Sequence, residues 1–64
     1  MYLVKLGREF TLSVDTLVEG MSIAVNAFKL GWGVDVINTM TGEVMVSLSD
    51  EEAPYFSTSI HEVI

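Results

Sequence analysis

Two alternating stretches split by a short turn constrain this chain more than any other feature. Val34, Val36 and Asn38 alternate with Asp35, Ile37 and Thr39. After Met40-Thr41-Gly42, Val44, Val46 and Leu48 alternate with Glu43, Met45 and Ser47. A period of two marks a strand with one covered face. A three-residue loop with glycine last, in the left-handed region, is a common hairpin connection. The register it sets pairs Thr39 with Glu43, Ile37 with Met45, Val36 with Val46 and Val34 with Leu48. The turn and the apolar faces choose the same pairing, so the two levels agree. The valine face is expected to pack on a helix. The other face is expected to show Asp35, Glu43 and Ser47, with Ile37 and Met45 side by side.

An earlier stretch reads the same way. Residues 2–6 are rich in strand formers, Gly7-Arg8-Glu9 is a turn, and Phe10, Leu12 and Val14 alternate with Thr11 and Ser13. Pairing Leu6 with Phe10, Val4 with Leu12 and Tyr2 with Val14 places six apolar side chains on one face. A slip of one residue would turn half of them to water, which selects this register. The alternative is a first strand that pairs elsewhere while 10–14 runs extended into the next element.

Between the hairpins lies a helix. Thr16-Leu17-Val18-Glu19 fits a capping box, a hydroxyl at the N-cap with a carboxylate three residues on. Asp15 and Glu19 suit the positive end of the helix dipole, and Lys29 suits the negative end. The helix is expected from about 17 to 30, closed by Gly31 in the left-handed conformation, with Trp32 folding back on the last turn. Glu19, Ser22, Asn26 and Lys29 form one polar stripe. The rest is apolar, an arc wider than one sheet face usually covers. Gly20 inside the helix costs about 1 kcal/mol relative to alanine. Close approach of another backbone would justify it.

Ser49-Asp50-Glu51-Glu52-Ala53-Pro54 reads as a loop, because Pro54 would break a helix there. Tyr55 to Ile64 is expected to be a closing strand. A short helix capped by Ser59, with Glu62 three residues on, is the alternative. The expected fold is α+β, one domain over 1–64: an antiparallel sheet of four to five strands on one helix, in the order ββαββ.

Composition limits the function. The chain of 64 residues has no cysteine and one histidine, so disulfides, thiolate metal sites and His-rich metal sites are excluded. A core this small is marginal alone. Half the residues are hydrophobic, an excess that hints at self-association or partner contact. No secretory signal pattern and no stretch able to span a bilayer is read, so a cytoplasmic, non-membrane protein is expected.

The net charge of −6 is carried by one half of the chain. Residues 1–29 balance Lys5, Arg8 and Lys29 against Glu9, Asp15 and Glu19. Residues 30–64 carry Asp35, Glu43, Asp50, Glu51, Glu52 and Glu62 without a cation. Such a segment presents its acids to water or to a basic partner. The same balance argues against direct binding to nucleic-acid phosphates.

Each candidate site has a plainer alternative. Asp50-Glu51-Glu52 could hold a divalent cation, but it lacks the spread ligands and glycine of a calcium loop, and a solvated or partner-facing acidic knob is the better reading. His61 with Ser57, Ser59 and Glu62 is adjacency without a pocket, so no enzyme and no cofactor are expected. Trp32 is a plug over the helix end or an exposed anchor. Ile37 and Met45 are an ordinary exposed pair or a contact surface. Gly31-Trp32-Gly33 follows a helix and so is no phosphate loop.

A short, acidic, cysteine-free α+β chain with a Thr41-Gly42-Glu43-Val44 hairpin resembles the small accessory proteins of phages and mobile elements, of which anti-CRISPR proteins are the best-known group. The resemblance is one of format over the whole chain and rests on no specific motif. It implies an acidic inhibitor or decoy, a DNA mimic that occupies the basic, nucleic-acid-binding surface of a host complex such as a CRISPR effector. Asp35, Glu43, Asp50, Glu51 and Glu52 would form the acidic contact, with Trp32, Ile37 and Met45 as apolar partners to it. The alternative is a small homo-oligomeric structural or regulatory module, for instance a homodimer, in which the acids serve solubility.

Overall fold

Both hairpins form, and one helix covers the middle of the sheet they build. A computed structural model describes residues 1–51 and 53–57. The elements are β1 (Tyr2–Leu6), β2 (Phe10–Val14), α1 (Leu17–Lys29), β3 (Val34–Asn38), β4 (Val44–Leu48) and β5 (Tyr55–Phe56). The sheet order is β2-β1-β3-β4-β5, with every neighbouring pair antiparallel. The α+β expectation therefore holds. β1 lies between the hairpins, paired with β2 on one side and β3 on the other. The expected closing strand is present at Tyr55–Phe56 and stops before Ser57, and the part of that expectation over 58–64 lies outside the described residues.

The first hairpin has the expected register, Tyr2 with Val14, Val4 with Leu12 and Leu6 with Phe10. β3 continues the same rows, Val4 with Val36 and Leu6 with Val34. These rows face α1. The helix begins as expected: the Thr16 hydroxyl accepts from the Glu19 backbone N–H at 3.2 Å and donates to the Glu19 carboxylate. It ends in a Schellman motif, in which the Trp32 N–H reaches the Ala27 carbonyl at 3.1 Å and the Gly31 N–H reaches that of Phe28 at 2.9 Å. Gly31 makes this possible with a φ of 92°, a value that side chains resist.

Gly20 has a packing reason. A Cβ there would stand 3.2 Å from a Val36 methyl, 3.4 Å from Val14 and 3.6 Å from Val4. The missing side chain lets the helix settle onto valines of three strands. The close approach is to side chains, not to the other backbone that the sequence suggested. Val4, Val34, Val36, Met45 and Val46 are the largest fully buried side chains, and each burial stabilises the fold by about 2 kcal/mol.

The second hairpin departs from expectation at one place. Val34 pairs with Leu48 and Val36 with Val46 as read, but Ile37 pairs with Val44. The loop is four residues long, not three. The Asn38 N–H reaches the Glu43 carbonyl at 2.9 Å, and the Gly42 N–H returns to the Asn38 carbonyl at 2.7 Å. The Asn38 side-chain oxygen also accepts from the Met40 N–H at 2.9 Å, an Asx turn that tightens the corner. Residue 45 becomes the extra residue of a bulge. Met45 is only 1% exposed and belongs to the core. The expected side-by-side surface pair of Ile37 and Met45 does not exist, because burying the Met45 side chain outweighs a regular ladder.

Candidate functional site

The uncovered face of the sheet holds two rows set by strand register. One runs Thr11, Lys5, Asp35, Ser47, Tyr55, and the other Ser13, Leu3, Ile37, Val44. The first is polar and the second is apolar at its centre. The Asp35 carboxylate accepts from the Ser47 hydroxyl at 2.7 Å, and Lys5 stands opposite it on β1. Asp35 is half-buried. Its carboxylate is thus already engaged by Ser47.

An open depression of about 320 Å³ lies at one end of this face, lined by Gly7, Arg8, Gly33, Val34, Asp35, Ser47, Leu48 and Ser49. The loop that carries Asp50 and Glu51 leaves β4 at this end. The Glu51 N–H is tied to the Ser49 hydroxyl at 3.2 Å, and Asp50 and Glu51 are exposed. Glu43 sits at the opposite end of β4, roughly 20 Å away along an extended strand. There its carboxylate accepts from the Ser57 hydroxyl, while the Ser57 N–H reaches the Met45 carbonyl at 2.8 Å. The expected acidic set is therefore divided: Asp35, Asp50 and Glu51 gather at one end, Glu43 serves an internal link at the other, and Glu52 lies outside the described residues.

The apolar set is divided as well. Met45 is in the core, Ile37 is half-buried in the middle of the open face, and Trp32 lies at the edge of the molecule. The Trp32 backbone returns to the last turn of the helix as expected, and its ring extends to the first hairpin. It lies over Gly7, where a Cβ would meet it at 3.3 Å, and meets Phe10 edge-on with centroids 5.8 Å apart. At 40% exposure it is both a cover for the first turn and a surface aromatic. Of the His61 group, Ser57 is bound to Glu43 and Ser59, His61 and Glu62 lie outside the described residues. Among the described residues, no three His, Asp or Glu side chains converge on a point that could hold a metal ion, and no helix is long and apolar enough to cross a membrane.

One surface was missed in the sequence. The helix lies over β1 and β3 and reaches the outer strand only at Val14, so Phe10 and Leu12, expected in the core, are 52% and 43% exposed. The alternation in 10–14 correctly gave their face. The width of the helix relative to the sheet decides whether that face is covered, and no local signal carries it. Compared with known proteins, the chain matches no family model, no curated protein and no solved structure.

Proposed function

We propose that this protein acts by binding another protein and not by catalysis, and that its partner offers a basic surface to the end of the sheet marked by Asp50 and Glu51. The observation that carries this is their exposure on a tied loop in a half of the chain that contains no Lys or Arg. Lys5 and Arg8 stand near Asp35, and Asp35, Asp50 and Glu51 together still outnumber these two cations at this end. Unmatched carboxylates steer a basic partner and make the association fast and salt-sensitive. A groove built for nucleic-acid phosphates is the chemistry that two adjacent carboxylates would mimic. An inhibitor of a CRISPR-type effector is the biological form of the proposal that the small acidic format suggests. Glu43 and Met45 have no part in the contact.

The test is capture from bacterial lysate on immobilised protein, washed at low and then raised salt, beside the Asp50→Lys/Glu51→Lys variant. A stoichiometric nucleic-acid-binding partner, held at low salt, released at raised salt and absent from the variant, is expected. Equal capture by the variant would remove these acids from the contact.

A further inference from the structure

We infer that β2 is a self-pairing edge: two copies of this chain join antiparallel through Phe10–Val14 to make one continuous sheet. Among the described residues β2 is the outer strand, and none of them pairs with the backbone groups on its far side, an edge that another strand can join. Natural edges are usually blunted by charge, proline, a bulge or a covering element. Residues 10–14 contain no charged residue and no proline, the pairing with β1 is regular, and α1 leaves Phe10 and Leu12 half in water.

The occupant is argued from the strand's own symmetry. With Leu12 on a two-fold axis, Leu12 meets Leu12 of the second copy, Phe10 meets its Val14, and Thr11 meets its Ser13. Opposite residues in an antiparallel pair share a face. The helix-side rows then run unbroken through both copies, Val4–Leu12 into Leu12–Val4 and Leu6–Phe10 into Val14–Tyr2. The open face gains Thr–Ser pairs, which favour cross-strand hydrogen bonding. The two-fold axis stands perpendicular to the joined sheet, so both helices lie on one side, with Phe10 and Leu12 of both copies in the trough between them. In a chain of charge −6, self-association is least opposed where the strand itself is neutral, and 10–14 is such a stretch. Just beyond the paired residues, Glu9 meets Asp15 of the second copy, one like-charge pair at each end. The contact is isologous and closes on itself. It does not depend on the acids at the other end of the molecule.

The symmetry gives a sharp test, because the chain has no cysteine of its own. Leu12→Cys is expected to form a covalent dimer under mild oxidation, and Phe10→Cys, which faces Val14, is expected to do so far less. By analytical ultracentrifugation the unmodified protein is expected to be a dimer. Leu12→Lys, at a half-exposed position, is expected to make it a folded monomer by circular dichroism. Glu9→Lys, in the exposed turn, is expected to tighten the dimer by about tenfold at low salt, since it converts both like pairs into opposite ones. A monomer at every concentration, or a dimer indifferent to both Leu12→Lys and Glu9→Lys, would overturn the inference. So would equal cross-linking at positions 10 and 12. A monomer that captures a different protein through Leu12 would reassign the edge to a foreign strand. The Asp50→Lys/Glu51→Lys variant is expected to dimerise normally, which separates this result from the fate of the proposed partner.

Discussion

The two sides of this sheet solve the same problem in opposite ways. On the β4–β5 side, the apolar surface of β4 is closed in part from within, while Tyr55 and Phe56 of β5 stay about half exposed. A bulge folds Met45 into the core, and Ser57 bridges it to Glu43 through one backbone and one side-chain hydrogen bond. The approach to β5 carries Asp50, Glu51 and Pro54, residue types that discourage strand addition. On the β2 side neither a bulge nor such a bridge occurs among the described residues. The strand is regular, uncharged and half-covered, and its largest side chains, Phe10 and Leu12, stay in contact with water. Side chains of similar size therefore have different standing: the alternation gives each one a face, and the reach of the helix decides whether that face is inside.

The largest expected effect follows from that difference. Met45→Ala empties a fully enclosed site and is expected to cost about 2–4 kcal/mol in urea or thermal unfolding. Leu12→Ala, half in water already, is expected to cost about 1 kcal/mol or less in the monomer. Equal losses at the two positions would mean that β2 is covered in the isolated chain, and the contrast between the two sides would fail.

A smaller effect is expected at the bridge. Ser57 is a buried hydroxyl that donates to the Glu43 carboxylate. Ser57→Ala is expected to destabilise by about 1–2 kcal/mol, because the half-buried carboxylate loses a donor. Adding Glu43→Gln should then cost little more, since the two residues share one interaction. Additive losses in this double-mutant cycle would show that Ser57 does not anchor β5 through Glu43.

The parts legible in the sequence were those that a few neighbouring residues decide. Thr16, Glu19 and Gly31 set the helix limits through caps that span one turn. The pairing of Tyr2 with Val14 follows from alternation on both strands around a short loop. Val34 with Leu48 is right for the same reason. The bulge was missed because only part of its signal is local: Asn38 opens an Asx turn in the loop, whereas the gain from enclosing Met45 depends on packing across the fold. Two other features depend on the whole fold. The insertion of β1 between β2 and β3 decides which strand is left at the edge. The course of β4 carries Glu43 to one end of the molecule and Asp50 to the other, so a list of acids in one half of the sequence did not become one acidic face.

The last effect tests a contact that fastens the end of the helix to the exposed side. Trp32 lies over Gly7 and against Phe10, and the Gly7 N–H reaches the Gly33 carbonyl at 2.7 Å. The end of the helix is thus fastened to the turn that opens β2. Trp32→Ala removes an edge-on aromatic pair worth about 1 kcal/mol beyond the area it buries, together with the burial of a ring that is 40% exposed, so global stability should fall by about 2 kcal/mol. The local consequence should be greater than the global one. With the ring gone, the 7–9 turn and Phe10 lose their cover, and amide exchange is expected to quicken at Phe10 and Thr11 while Val36 and Val46, enclosed by the helix and the neighbouring strands, keep their protection. If exchange at Val46 rose as much as at Phe10, the two sides of the sheet would be opening as one unit. The contrast between a closed side and an open one would then describe exposure alone and not stability.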